Sequence, residues 1–104
     1  MVTKQSAIET AKAFVRDCAT AGLVFDKVLL FGSYAKGTAH EASDIDLLLV
    51  SKLFNDDVFA NLRLYSKINI NYPIIETHPL SPSGLQEADE FIKKISIEGI
   101  EIVR

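Results

Sequence analysis

The sequence has little of the residue types that mark disulfide-rich, fibrous or disordered proteins. Its 104 residues include one cysteine, five glycines, three prolines and no tryptophan. A lone cysteine, Cys18, forms no internal disulfide and no zinc site with cysteine partners. The scarcity of glycine and proline excludes a collagen-like chain and argues against disorder. We interpret Cys18, which lies on a predicted apolar helix face, as a small core residue.

Long hydrophobic runs are also missing. The apolar runs are a few residues long, far short of the roughly 20 needed to span a bilayer, and the first residues lack the basic and apolar regions of a signal peptide. We therefore expect a cytoplasmic protein without membrane contact. The net charge of −3 argues against broad nucleic-acid binding. With 48% hydrophobic and 24% charged residues, the composition predicts a single globular domain over residues 1–104.

Hydrophobic periodicity predicts an alternation of helices and strands. A helix is expected over 4–21, ended by Gly22, and a second helix is expected from a cap at Asn55 or Asp56 to Ile68, with Val58 and Leu62 facing inward. Ser83 and Gln86 have the spacing of a capping box and predict a third helix that stops at Gly99. Strands are predicted over 27–31, 45–50, 72–77 and 100–103.

The predicted order of elements indicates an α/β (α+β) fold with two layers, a sheet of about four strands packed against helices. The connection between the first two strands is too short for a standard parallel crossover. We therefore expect a mixed β-sheet.

Two acidic residues stand at the start of the second predicted strand. Asp44 and Asp46 are two positions apart, so their side chains point to the same face, with Cα atoms roughly 6 to 7 Å apart. Two carboxylates on one face repel, and a divalent cation is the simplest partner that makes the arrangement favourable. Oxygen ligands favour Mg²⁺ or Mn²⁺. The alternative is a solvated strand entrance with an Asp cap.

A glycine–serine pair ends the first predicted strand. Backbone N–H groups at Gly32 and Ser33, with the serine hydroxyl, can hold phosphate oxygens, and a glycine lets a phosphate approach the main chain. An ordinary tight turn is the alternative. The spacing of Gly32, Gly37 and Thr38 imitates a P-loop, but that motif needs a lysine between the second glycine and the threonine. Lys36 lies on the wrong side, so a P-loop is rejected.

Together the two segments resemble a known signature. Gly32-Ser33-Tyr34-Ala35-Lys36-Gly37, followed by Ser43-Asp44-Ile45-Asp46-Leu47, looks like the pattern of the DNA polymerase β-like nucleotidyltransferase superfamily. The likeness is greatest to its minimal nucleotidyltransferases, or MNT domains. Their pattern is a Gly-Ser pair after the first strand, a second glycine, and Asp-x-Asp opening the second strand. The signature covers about a fifth of the chain.

The resemblance implies metal-dependent transfer of a nucleoside monophosphate, usually AMP from ATP, to an acceptor hydroxyl. Gly32 and Ser33 would then bind the triphosphate. Ser43 and Lys36 are further candidates for nucleotide binding, although a solvated turn lysine is an equally good interpretation of Lys36. His40 is expected to be exposed in the loop before Ser43.

The resemblance also implies a metal site of three carboxylates. Asp44 and Asp46 would hold Mg²⁺ or Mn²⁺, and a third carboxylate from a later strand would complete the site and help to deprotonate the acceptor. Glu76, near the end of the third predicted strand, is the candidate, and Glu101 in the last strand is its rival. His78 shares the parity of Glu76 along the chain, so an approach to the site is one interpretation, but we favour a polar residue in a proline-rich turn.

A domain this small has little surface for recognising an acceptor. In many minimal nucleotidyltransferases a helical protein of the HEPN type is the partner, and the transferase acts as an antitoxin that places AMP on the toxin. The resemblance therefore implies a HEPN-type partner or self-association. The alternative is a non-catalytic antitoxin or binding module that neutralises its partner by contact alone. Transfer to a small molecule such as an aminoglycoside is disfavoured, because the chain has no residues for an acceptor domain.

Overall fold

A four-stranded mixed sheet with helices against it forms the frame of the protein. The computed structural model describes residues 3–103. Within that range no helix is both long and apolar enough to cross a membrane. In chain order the elements are α1 (Lys4–Thr20), β1 (Lys27–Phe31), α2 (Ser33–Lys36), β2 (Ile45–Val50), α3 (Val58–Arg63), α4 (Ser66–Asn69), β3 (Ile75–Leu80), α5 (Pro82–Gln86), α6 (Glu90–Glu98) and β4 (Ile100–Val103).

The strands are ordered β3-β2-β1-β4 across the sheet. β1 is antiparallel to both of its neighbours, β2 and β4, whereas β2 and β3 are parallel. The short β1–β2 connection holds only the single turn α2, which allows an antiparallel pair but no parallel crossover. The predicted mixed sheet and fold class are confirmed.

The larger core lies between α1 and one face of the sheet. Four α1 residues spaced three or four apart are buried there: Ala7, Ala11, Phe14 and Cys18. The Phe14 ring packs against the rings of Phe25, Tyr65 and Tyr72. Burial raises the pKa of the Cys18 thiol to about 12, which keeps the thiol protonated and unreactive. The interpretation of Cys18 as a core residue is confirmed.

A smaller core on the opposite face of the sheet forms under α6. Leu29, Leu48 and Val50 pack there against Ile95 of α6. Alternation along each strand divides the side chains between the two faces. The continuous apolar runs of β1 and β2 are therefore explained by burial on both faces.

The predicted helix from Asn55 or Asp56 to Ile68 is interrupted. α3 ends at Arg63 and α4 begins at Ser66, because Tyr65 between them leaves helical geometry to bury its ring and bring its hydroxyl 2.8 Å from Thr77 Oγ1. Asp57, one residue later than predicted, is the N-cap of α3 and accepts from the N–H of Ala60. The inward orientation predicted for Val58 and Leu62 is wrong, since both are exposed.

The predicted capping box at Ser83 is also wrong. Ser81 caps α5 instead, accepting from the N–H of Gly84, and α5 ends at Gln86. Asp89 then caps a separate helix, α6, by accepting from the N–H of Ile92. The apolar spacing that suggested one helix is real, but two local capping groups divide it.

The third strand begins three residues later than predicted, at Ile75, and continues to Leu80. The preceding residues form a turn in which the N–H of Ile75 donates to the carbonyl of Tyr72. Pro79 suggested a turn, but β3 is an edge strand, where a proline is tolerated. The assignment of His78 to a turn is therefore wrong, because it lies within β3.

The aromatic contacts of Phe14 give a stability prediction. We expect Phe14→Ala to lower the free energy of unfolding by about 3–5 kcal/mol, because it leaves a cavity among three rings. Phe59→Ala is the matched control, since Phe59 is 72% exposed and its loss should cost no more than about 0.5 kcal/mol. Urea denaturation measures both, and equal destabilisation of the two variants would contradict this description of the core.

Candidate active site

Two carboxylates meet where β2 and β3 run side by side. The parallel register pairs Asp46 with Glu76. Side chains at paired positions share a face of the sheet, and His78, two residues after Glu76, shares it too. One oxygen of each carboxylate and one nitrogen of His78 lie within 4.8 Å of one another. His78 Nε2 is 3.8 Å from Asp46 Oδ1.

The position of Asp46 is electrostatically costly. Burial raises the pKa of its carboxyl above the usual 3.8, and the negative charge of Glu76 raises it further. His78 acts in the opposite direction, and Asp44 adds a smaller upward effect. Asp46 is thus a charged group in need of a positive partner.

Gly32 closes the other side of the site. β1 ends at Phe31, whose register partner is Asp46, so Gly32 follows directly beside that carboxylate. Gly32 has φ 78° and ψ −154°, a conformation that side chains rarely adopt. A Cβ built there would also lie 3.3 Å from Asp46 Cγ, and closer still to Asp46 Oδ2. Only glycine fits this bend, and Ser33 then starts α2 as predicted.

Two further predicted site residues lie in the segment before β2. Asp44 is exposed one residue before the strand, and its carboxylate is outside the group formed by Asp46, Glu76 and His78. Its influence on the pKa of Asp46 places it within electrostatic reach. Ser43 Oγ accepts from the N–H of His40, a bond that orders the loop. Roles for Asp44 in metal binding and Ser43 in nucleotide binding stay predictions.

The two candidates for the third carboxylate lie on opposite edges of the sheet. Glu76 is on β3 beside Asp46, whereas Glu101 is on β4, pairs with Leu29 and lies 3.9 Å from Lys27 Nζ. The strand register therefore brings Glu76, and not Glu101, to Asp46.

An apolar cleft of about 200 Å³ opens beside the glycine bend. It is bounded by the end of β1, by α2 and by α6, and its lining residues are Phe31, Gly32, Ala35, Lys36, Phe91, Lys94, Ile95 and Glu98. Lys36 is exposed at its rim. No local sequence signal predicts that α6 lines this cleft, because its position depends on how the helix packs across the sheet.

The donor set is suitable for a divalent cation. Asp46 and Glu76 offer carboxylate oxygens, and His78 offers an imidazole nitrogen. His78 Nε2 is shielded from solvent and has no hydrogen-bond partner among the described residues. An unpaired buried nitrogen beside two carboxylates fits the donor set of a metal-binding site.

The fold and this geometry define a nucleotidyltransferase domain. The nucleotidyltransferase domain family matches residues 12–98, and the chain belongs to that family. A candidate protein adenylyltransferase of Methanocaldococcus jannaschii is 29% identical over 98 residues, covering 91% of this chain and 97% of the relative. The resemblance to minimal nucleotidyltransferases of the DNA polymerase β-like superfamily is thereby confirmed.

Solved structures agree with the fold. A candidate nucleotidyltransferase from Sulfolobus solfataricus superimposes with a TM-score of 0.67 at 21% identity, covering 94% of this chain and 80% of that one. A candidate minimal nucleotidyltransferase gives a TM-score of 0.58 at 27% identity, with 95% of each chain covered. A chain of a toxin–antitoxin complex solved with AMP-PNP gives 0.59 at 22% identity, covering 91% and 71%.

The glycine bend yields a paired prediction. Gly32 and Gly37 both have positive φ, but an added Cβ at Gly37 meets nothing within 4 Å. Gly37→Ala should cost about 1–2 kcal/mol of unfolding free energy from backbone strain alone. Gly32→Ala should cost more, because its ψ of −154° lies outside the left-handed region of Gly37 and because the methyl group also displaces Asp46. Chemical denaturation of both variants tests this, and equal costs would show that Gly32 does not touch the carboxylate.

The raised pKa of Asp46 predicts a stabilising substitution. In metal-free buffer at pH 7, Asp46→Asn should raise the thermal midpoint, because it removes a half-buried charge that faces Glu76. The folded protein holds the Asp46 proton more tightly than the unfolded chain does. The advantage of the variant should therefore shrink as pH falls through the folded-state pKa. Asp56→Asn, the same change at an exposed position, should show no such trend.

Proposed function

We propose that the protein is a metal-dependent adenylyltransferase that moves AMP from ATP to an acceptor hydroxyl. Nucleotidyl transfer is the activity of its family. The relative named as a candidate protein adenylyltransferase supports AMP as the group and a protein as the acceptor. The observation that carries the proposal is the pairing of Asp46 with Glu76 directly beside the Gly32 bend.

The bend and the cleft supply the nucleotide site in this proposal. Gly32 leaves its backbone open to a phosphate, and Ser33 begins a helical turn next to it. Lys36 and Lys94 bring positive charge to the cleft, where Phe31 and Phe91 offer apolar surface. Ser43, at the far end of the connecting loop, is a further candidate for binding the nucleotide.

The carboxylates supply the chemistry. Asp46 and Glu76, with Asp44 nearby, would hold Mg²⁺ or Mn²⁺, which neutralises charge on the reacting phosphate. The acceptor oxygen forms a bond to the α-phosphorus as the bond to the β-phosphate oxygen breaks and pyrophosphate leaves. Glu76 is exposed, and it would take the proton of the acceptor hydroxyl.

A partner protein fits the same proposal. α3 and its surroundings expose large apolar side chains, among them Val58, Phe59 and Ile70. These side chains lie on or next to the adjoining helices α3 and α4, where they offer apolar surface to a partner. The fold also superimposes on a chain of a toxin–antitoxin complex. We infer that the acceptor hydroxyl belongs to a HEPN-type toxin, with self-association as the alternative.

Removal of the central carboxylate tests the activity. With labelled ATP, Mg²⁺ or Mn²⁺ and a candidate HEPN partner, the wild type should add AMP to the partner, detected as a mass increase. Asp46→Asn should lower the rate at least about a hundredfold, because the metal contributes several kcal/mol to the transition state. Asp56→Asn should retain the rate. An unchanged rate in Asp46→Asn would contradict the proposal.

The same variant separates chemistry from contact. If Asp46→Asn still binds the partner but no longer neutralises it, neutralisation depends on AMP transfer. Neutralisation that survives the substitution would instead identify a binding module. Size-exclusion chromatography of the mixture reports complex formation independently of the transfer assay.

A further inference from the structure

We propose that His78 is a ligand of the catalytic cation, so that the site is a mixed nitrogen–oxygen site that prefers a divalent transition ion to Mg²⁺. The ligands would be His78 Nε2 with one oxygen each from Asp46 and Glu76. This inference rests on the proposed function, which places a cation beside Asp46, and it adds a nitrogen ligand to an otherwise acidic site.

The first support is the state of the imidazole nitrogen. His78 Nε2 is shielded from solvent and lacks a hydrogen-bond partner among residues 3–103, although the ring as a whole is partly exposed. Its 3.8 Å separation from Asp46 Oδ1 exceeds hydrogen-bond distance. A buried polar atom left unpaired is costly, so the geometry indicates that something else occupies the gap.

The second support is the size of that gap. Two donor atoms that bind one ion at about 2.1 Å each lie no more than about 4.2 Å apart. The Nε2–Oδ1 separation of 3.8 Å falls within this limit. The three donor atoms lie within 4.8 Å of one another. A small rotation of the exposed Glu76 side chain would bring all three within reach of one ion.

The third support is the way His78 is held. Its ring packs edge-on against Phe31, with centroids 5.1 Å apart, and Phe31 in turn contacts Phe91 of α6. The strand register fixes the backbone of His78, since this residue lies two positions beyond Glu76 on β3. The imidazole is therefore oriented towards Asp46 before any ion arrives, as a ligand must be.

Nitrogen ligation has a consequence for the choice of ion. Mg²⁺ prefers oxygen ligands, whereas imidazole favours first-row transition ions. A site with His78 should therefore bind Mn²⁺ more tightly than Mg²⁺. A site formed only by the carboxylates of Asp44, Asp46 and Glu76 would lack the preference for Mn²⁺ that a nitrogen ligand confers.

Pulsed EPR of Mn²⁺ bound to the purified protein gives a direct test. The wild type should show hyperfine coupling to a directly bound imidazole nitrogen. His78→Gln should abolish that coupling and lower the preference for Mn²⁺ over Mg²⁺, measured by competition, about tenfold or more. The chain contains only one other histidine, His40, so His40→Gln is the matched control and should leave both readouts unchanged.

Circular dichroism establishes that the variants fold, and His78→Asn provides a second substitution if His78→Gln does not. Bound Mn²⁺ without nitrogen coupling in the wild type would overturn the inference, as would coupling lost in His40→Gln. Neither result contradicts the proposed function, which is tested separately by the transfer assay and fails if the wild type transfers no AMP. Mn²⁺ binding that survives Asp46→Asn would contradict the metal site itself.

Discussion

The pairing of Asp46 with Glu76 across β2 and β3 is the constraint on which the site depends. A partly buried carboxylate beside a second carboxylate is unfavourable, and the raised pKa of Asp46 expresses that cost. The pairing is maintained because Leu48 and Val50, on the same face of β2 as Asp46, are buried in the core under α6. A slip of one residue would send this whole face to the other side of the sheet. The core therefore imposes the geometry of the carboxylates.

The glycine bend follows from the same register. β1 is antiparallel to β2, and its last residue, Phe31, lies opposite Asp46. The chain must leave the sheet at the next residue while passing the carboxylate closely. Gly32 meets both demands, since its φ is positive and it has no Cβ to meet Asp46. The Gly32 bend and the Asp46 carboxylate are thus adjacent through strand pairing, although the β1–β2 connection separates them along the chain.

The sequence predicts the local parts of this arrangement well and the long-range parts poorly. The β1 and β2 boundaries, the mixed sheet and the Gly32-Ser33 turn each depend on a short segment with a strong pattern. The sequence places His78 in a turn because Pro79 is normally a turn signal. A proline is tolerated in an edge strand, however, and whether a strand lies at an edge depends on the whole sheet. The approach of Phe91 on α6 to Phe31 likewise depends on packing between elements that are distant in the sequence.

The location of the site reflects how far α6 extends over its face of the sheet. Ile95 covers Leu29 and Leu48, but the helix does not reach over Asp46, and the face opens where Phe31, Gly32 and Phe91 line the cleft. The polar end of β2 therefore has to face solvent or a ligand. Its carboxylates remain available to a cation because the second helical layer is incomplete.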